Sequence, residues 1–239
     1  MNIALIGYGK MGREIEKTAR QRNHKIVCII DINQEDKFDS CEFKSADVAI
    51  EFTTPQSAYH NYKKAFAANV PVVSGTTGWL QHLPEIKREC EQNGKTFFYA
   101  SNFSVGVNLF FEINRRLASL MNQFPDYDMH IEEVHHIHKK DVPSGTAITL
   151  AEDILANIER KMRWELNAEK DEKVLPILSL RQGEVPGNHA VIYESEFDTL
   201  NITHEAKNRK GFALGAVLAA EFTKQNKGFL TMKDLLNFS

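Results

Sequence analysis

Apolar and polar positions follow two rhythms along the first hundred residues. Short apolar runs at Ile3–Ile6, Ile26–Ile30, Val48–Phe52, Val70–Val73 and Thr96–Tyr99 read as buried strands. Helical spacing fills the gaps: a segment opening at Met11–Ile15, another over Gln56–Ala68 after Pro55, and a third marked by Leu80, Leu83, Ile86 and Cys90. Strand and helix in regular alternation predict a parallel, doubly wound sheet, whose ligands sit beyond the C-terminal ends of the strands.

The rhythm then changes. Val107, Phe110, Ile113, Leu117, Leu120 and Met121 predict a longer helix, and Met129–His136 an extended segment. Ala147, Leu150, Ala151, Ile154, Leu155 and Ile158 fall on one face of a half-buried helix, with Ser144 as its N-cap. Strands are expected near 174–181, 190–197 and 200–206, with a hairpin corner at Asp198-Thr199, so this part reads as a mixed or antiparallel sheet. Residues 158–173 lack an apolar stripe and read as a solvated connection, whereas Gly211–Phe222 and Thr231–Leu236 are helical again. The fold class expected is α/β. A Rossmann-like, doubly wound parallel sheet takes residues 1–103 plus 208–239, and a second α+β domain built on a mixed sheet takes residues 104–207.

At 239 residues the chain is long enough to bury a substantial core. A net charge of −3 carries no nucleic-acid or membrane footprint, and neither partner is expected. Cys28, Cys41 and Cys90 have no Cys-x-x-Cys spacing and read as thiols of a reducing compartment. The first residues form a core strand and no apolar run has membrane-spanning length, so neither signal peptide nor span is expected, and the cytoplasm is the expected location.

Two motifs carry chemistry. Gly7-Tyr8-Gly9-Lys10-Met11-Gly12 joins the first strand to the first helix, and Asp31 closes the second strand nineteen positions beyond Gly12. This is the context of a dinucleotide-binding fingerprint: Gly7 makes the tight turn, Gly9 admits a pyrophosphate, Gly12 lets helix and strand pack, and Asp31 accepts from a ribose. Asp31 argues for NAD, while Lys10 and Arg13 offer charge to a 2′-phosphate, and the two readings stay open. Glu51–Pro55, Gly75–Gly78 and Ala100–Ser104 follow later strands at the same edge and are expected to line the same groove.

The second motif is Glu133-Val-His135-His136-Ile-His138-Lys139-Lys140-Asp141-Val-Pro143-Ser144-Gly145-Thr146-Ala147. It brings imidazoles that titrate near neutral pH to a helix start whose free N–H groups, on Gly145 and Thr146, suit a carboxylate. A Lys beside other cations gives up its proton more readily. A metal is not expected, since the histidines come without Cys and end in two lysines. A solvated basic loop is the bland alternative.

Together with Gly75-Thr76-Thr77-Gly78 and Ala100–Asn108, these motifs resemble the 4-hydroxy-tetrahydrodipicolinate reductase (dihydrodipicolinate reductase) family, from residue 2 to about residue 236 and most weakly over 159–178. The resemblance implies hydride transfer from NADH or NADPH to a small cyclic dicarboxylate, release of water and formation of tetrahydrodipicolinate, in the diaminopimelate route to lysine. It implies His135 as acid/base, Lys139 as proton donor, and His136, Gly145 and Thr146 as substrate contacts. It implies cofactor contacts at Gly7, Tyr8, Gly9, Lys10, Met11, Gly12, Asp31, Gly75, Thr76, Thr77, Ala100, Ser101, Asn102 and Phe103, and a homotetramer. Four features depart from the family's pattern: a glycine loop one residue shorter, Glu51 in place of Asp, Ile32 where some members carry a basic residue, and a segment lost after the anion-site helix. His189 also matches and reads as structural, while His204 and Arg209 are candidates to flank the cleft. Two competing readings are another nicotinamide oxidoreductase on this fold, which leaves the His-His-x-His-Lys run without a dicarboxylate, and a non-catalytic nucleotide sensor, which needs neither proton donor.

Overall fold

The computed structural model describes residues 1–169, 171–208 and 210–238. Two compact units emerge, Met1–Val105 with Lys210–Ser239 and Gly106–Arg209. Arg209, a sequence candidate for the cleft, lies outside the described residues, as does Lys170.

In the first unit β1 (Asn2–Ile6), α1 (Lys10–Gln21), β2 (Lys25–Ile30), α2 (Cys41–Lys44), β3 (Val48–Glu51), α3 (Pro55–Ala67), β4 (Val72–Ser74), α4 (Leu83–Gln92) and β5 (Thr96–Tyr99) follow one another. The sheet order is β11-β5-β4-β3-β1-β2, all parallel, with β11 supplied by Gly228–Leu230. The chain leaves β1 toward β2 and returns on its other side as β3. This reversal opens a crevice beyond the carboxyl ends of β1 and β3, the place where doubly wound sheets take ligands. One face of the sheet buries Tyr62, Phe66, Trp79 and Phe97, and the other buries Ile3, Leu5, Ile50 and Phe98 against Ala213, Ala216, Val217 and Ala220. Those alanines belong to the helix Lys210–Gln225, and small residues there let it lie close to the strands.

The second unit runs α5 (Val105–Met121, its first residue in the other unit), β6 (Asp128–His135), α6 (Gly145–Leu155), β7 (Arg163–Leu166), β8 (Val174–Arg181), β9 (Asn188–Glu194) and β10 (Thr199–Glu205). The chain then re-enters the first unit as α7 (Lys210–Gln225), β11 and α8 (Met232–Leu236). The second sheet is mixed, ordered β10-β9-β6-β8-β7, with β9 antiparallel to both neighbours and β8 parallel to β6 and β7. The architecture is the α/β class that the pattern predicts.

Two strands depart from the sequence reading. β7 lies inside the segment expected to be a solvated connection. It is an edge strand in which Arg163, Glu165 and Leu166 are exposed and Trp164 alone packs on the core, so it has no alternation to read. β11, three residues long, is too short to carry a period.

Candidate active site

The nucleotide-side loops are fixed by backbone contact. A Cβ on Gly7 would lie 2.1 Å from the Phe52 carbonyl oxygen, and one on Gly12 would lie 2.3 Å from the Gly7 carbonyl oxygen. Gly7 also has φ +91°, a conformation only glycine adopts freely. Gly9, by contrast, has open space where a Cβ would stand, which leaves its backbone free to meet a ligand. Gly9–Gly12, Phe52, Thr53, Pro55 and Gly75–Thr77 line a groove of about 330 Å³. A pyrophosphate at the start of α1 fits this cradle: the helix begins at Lys10 with no acidic residue in its first turn and no side chain capping it.

Beneath the groove, Glu51, Thr53 and Thr76, which the sequence named singly, meet in one polar cluster. Glu51 is fully buried and accepts from Thr53 Oγ1, Ser74 Oγ (2.7 Å), Thr76 Oγ1 (3.0 Å) and Tyr62 OH (3.3 Å). Thr76 Oγ1 in turn accepts the Thr53 N–H (2.8 Å), tying the loop after β4 to the loop after β3. Burial drives the Glu51 pKa up, and its four hydroxyl partners only moderate the rise. Its signal in the sequence was a charged residue inside an otherwise apolar strand.

The remaining cofactor candidates divide. Tyr8 donates its hydroxyl to Glu16 and carries the Arg13 guanidinium over its ring at 5.5 Å, whereas Lys10 and Met11 line the groove. Asp31 is exposed directly after β2, and Ile32 beside it is 83% exposed. Ala100 and Phe103 are core residues, with the Phe103 ring against Phe52 and Phe98, so their side chains face protein and only their backbones are left for a cofactor. Ser101 is exposed, and the Asn102 side-chain oxygen accepts the Ser104 N–H at 2.9 Å.

In the second unit, β6 places Met129, Ile131, Glu133 and His135 on one buried face. Its neighbours continue each position: Glu133 pairs with Ser179 on β8 and with His189 on β9, and His189 pairs with His204 on β10. The apolar half of this face packs on Ala147, Leu150, Ala151 and Ile154 of α6. The polar half lies under the start of α6. There Ser144 caps the helix, its Oγ accepting the Ala147 N–H at 3.2 Å, and its own N–H reaches both Glu133 oxygens at 3.1 Å. Gly145 and Thr146 occupy the first turn, whose N–H groups have no intrahelical acceptor.

Glu133 is 1% exposed, and Ser179 Oγ (2.6 Å) and Arg181 (3.5 Å) also approach it. Burial pushes its pKa up, but the Ser144 and Ser179 hydrogen bonds outweigh burial and hold it below the ordinary value. His135 Nδ1 stands 3.5 Å from Glu133 Oε2 without reaching hydrogen-bond geometry. Burial lowers the His135 pKa, and the Glu133 charge resists that fall. His189 Nε2 is 3.0 Å from Ser144 Oγ, its ring meets the His135 ring edge-on at 5.0 Å, and burial pushes its pKa down to about 3. Gly187, at φ +151°, keeps a side chain off the far side of the imidazole: a Cβ there would lie 3.0 Å from His135 Nε2.

The structure therefore regroups the histidine motif. His135 joins Glu133 and His189. His138 instead turns outward to Glu184 (3.0 Å), and His136 is half-buried, its ring 5.9 Å from that of His138. Lys139 does not sit among bare cations, as the sequence implied. Its ammonium is chelated by both Asp141 oxygens at 2.9 and 2.8 Å. Glu133, His135 and His189 hold ligand-type atoms within 4.8 Å of one another, a trio that the run of neighbouring histidines did not reveal. Arg181 and the Ser144 and Ser179 donors already serve its carboxylate, so acid/base chemistry suits the trio better than a cation.

Comparison with known proteins places the chain in a family. The family models for the N-terminus and C-terminus of dihydrodipicolinate reductase match residues 1–103 and 106–236. A 4-hydroxy-tetrahydrodipicolinate reductase of Christiangramia forsetii is 50% identical over 99% of this chain and 98% of its own. The Archaeoglobus fulgidus enzyme of that name is 36% identical over 99% and 100%. Among solved structures, a dipicolinate-bound dihydrodipicolinate reductase from a Paenisporosarcina strain shares the fold at TM-score 0.77, with 24% identity over 98% of both chains. A probable dehydrogenase from Thermotoga maritima shares it at TM-score 0.60 and 7% identity, over 98% and 92%. With family models spanning both units and relatives matching end to end, the chain belongs to the dihydrodipicolinate reductase family.

Proposed function

We infer that the chain reduces 4-hydroxy-tetrahydrodipicolinate to tetrahydrodipicolinate with NADH or NADPH, in the diaminopimelate route to lysine. One substrate, one hydride and one proton give one product and one water. The observation that carries this reading is the buried Glu133–His135–His189 cluster, set under a helix start that suits a carboxylate.

When bound, the reduced nicotinamide supplies the hydride, and everything else falls to the chain's own side chains. Gly7, Gly9 and Gly12 with Lys10 and Met11 would hold the pyrophosphate, Asp31 the adenosine ribose, and the Gly75–Thr77 and Ala100–Phe103 backbones the remainder. Gly145 and Thr146 N–H groups, with His136, would hold a substrate carboxylate through the charge preference of a helix N-terminus. The hydroxyl leaves with a neighbouring ring hydrogen as water, and hydride addition to the conjugated ring so formed leaves negative charge that a proton must relieve. His135 and Lys139 are the groups we assign to that transfer, a general-acid contribution of roughly 10²–10⁴-fold. Asp141 holds the Lys139 ammonium in place until then.

The assignment extends to the units: residues 1–103 with 208–239 bind the dinucleotide, and residues 104–207 bind substrate and mediate assembly. A homotetramer is supported by apolar side chains left outside the second unit's core, Phe197 (82% exposed) and Leu180 (62%) among them. No helix among the described residues is long and apolar enough to cross a membrane, and Cys28, Cys41 and Cys90 are unpaired. We place the enzyme in the cytoplasm on its biosynthetic role.

A coupled assay tests the function. Pyruvate and aspartate semialdehyde, condensed by a synthase, are offered with NADH or NADPH, and the reduced nicotinamide is followed by absorbance. Substrate-dependent oxidation is expected, and the ratio of the two coenzymes reports the influence of Asp31. Coenzyme binding without oxidation would move the weight to a sensor.

A further inference from the structure

Glu133 is a buried carboxylate to which the reduction as described gives no step of its own. Its Oε1 end is crowded with donors: Ser144 N–H at 3.1 Å, Ser179 Oγ at 2.6 Å and Arg181 at 3.5 Å. Its Oε2 end also lies 3.1 Å from the Ser144 N–H and faces two imidazoles, with His135 Nδ1 at 3.5 Å and His189 Nε2 at 3.7 Å. His135 Nδ1 is buried there without a hydrogen-bond partner.

We propose that Glu133 is the positioning residue of the reduction: its Oε2 takes the Nδ1–H of His135 and so leaves Nε2 as the nitrogen that exchanges a proton. The proposal rests on the assignment of His135 as the acid/base group. Three observations support it. An ionised carboxylate only accepts, so a lone pair on His135 Nδ1 would face the lone pairs of Oε2, whereas an N–H there turns a donor toward an acceptor. On the opposite side of the ring a side chain at position 187 would press on Nε2 at 3.0 Å, and Gly187 has none, its φ of +151° favouring glycine. The same carboxylate takes the Ser144 N–H, so one group fixes both the imidazole and the start of α6. His135 and the substrate-binding turn are thereby held in one register. Around the imidazole stand Glu133 and Asp141 with negative charge, Lys139 and Arg181 with positive charge, and His189.

Glu133→Gln separates this role from packing. Ser179 Oγ and Arg181 donate at the Oε1 end alone and draw the amide oxygen there, so the amide NH2 replaces Oε2 and donates to His135 Nδ1. His135 must then carry its proton on Nε2. Long-range proton–nitrogen correlation spectra of histidine-labelled protein distinguish the two tautomers. The wild type is expected to show Nδ1–H and the variant Nε2–H, with turnover reduced on the order of 10²-fold and NADH affinity within about twofold of wild type, since the two sites share no residue. Ser179→Ala, which removes one hydrogen bond and keeps the charge, is expected to retain Nδ1–H. It stands in should the glutamine variant fail to fold.

A wild-type enzyme with the proton on Nε2 overturns the proposal, as does a folded glutamine variant with the wild-type tautomer. Zinc ions titrated into the wild type are expected to leave the His135 signals in place. Stoichiometric binding that moves His135 and His189 together would make the trio a metal site instead. These readouts need no turnover. Nδ1–H in a protein that does not reduce the substrate would support the positioning role and sink the proposed activity, and the reverse pairing would sink the positioning alone.

Discussion

Replacing Glu51 tests whether the cofactor groove rests on its buried carboxyl. In Glu51→Ala, the Thr53 and Thr76 hydroxyls lose the oxygen they share, while Tyr62 and Ser74 keep each other at 2.6 Å. The Thr76 hydroxyl and one proton of the Tyr62–Ser74 pair are left as buried donors, and at about 1–3 kcal/mol each, with a small cavity added, they bring the expected loss to about 3–5 kcal/mol. For a chain of this length that is a fall in Tm of roughly 6–20 °C. The Thr76–Thr53 link also loosens, so NADH should bind about tenfold more weakly, a cost of roughly 1.4 kcal/mol. Glu51→Gln should behave differently. Its amide nitrogen can donate to Ser74 and Tyr62, hydroxyls that turn to accept, so a loss below about 1 kcal/mol is expected. The pH dependence has a definite sign. Burial raises the folded-state pKa of Glu51, so its contribution is fully present below the unfolded value, near 4.5, and is lost as pH rises through the folded value. The glutamine variant lacks that titration and should gain on wild type as pH rises. Thermal unfolding across the pH range, with NADH fluorescence titration, checks each point. A glutamine variant as damaged as the alanine one, or one that gains on wild type toward acid, would refute the reasoning.

Lys139→Ala should cut turnover by roughly 10²-fold or more with NADH affinity unchanged, and loss of NADH binding in a fluorescence titration would join the acid site to the cofactor groove. Thr146→Val should mainly raise the KM for substrate in steady-state kinetics, and an unchanged KM would remove the anion role of the helix start. Gly187→Ala forces a side chain into φ +151° and onto His135 Nε2, so about 1–3 kcal/mol of stability should go together with most of the turnover. Full activity in a folded variant would show that Nε2 needs no opening there.

Much of the fold was legible because its elements carry clean periods. The strands of the first sheet are short apolar runs, and α6 places Ala147, Leu150, Ala151 and Ile154 on one buried stripe behind a serine cap. β7 was not legible, since an edge strand buries one side chain and wears charges for the rest. The candidate site was legible to the extent that it is contiguous: the glycine loop, and His135 through Thr146. Contacts from distant segments were not. His189 reaches Ser144 across 45 positions, and Ser179 reaches Glu133 across 46, through sheet register that no local pattern encodes. The motif also misled at Lys139, where neighbouring cations in sequence gave way to a carboxylate two positions on.

The two buried glutamates show why burial alone does not set a carboxylate's state. Glu51 is 0% exposed and Glu133 is 1%, yet burial wins at the first and hydrogen bonding at the second. The difference lies in the partners. Around Glu51 every partner is a hydroxyl, able to donate or accept, so a protonated carboxyl fits as well as an ionised one. Around Glu133 the Ser144 N–H and the Arg181 guanidinium can only donate, so both favour the ionised carboxylate. The same isosteric change should therefore cost different amounts. Glutamine at 51 loses less than about 1 kcal/mol, whereas glutamine at 133 weakens charge-assisted bonds to Ser144 and Arg181 and should lose about 2–4 kcal/mol. Denaturant unfolding of the two variants, side by side, measures the contrast. Equal losses would mean that buried area rather than donor chemistry sets the cost, and would remove the ground for regarding Glu133 as a fixed charge beside His135.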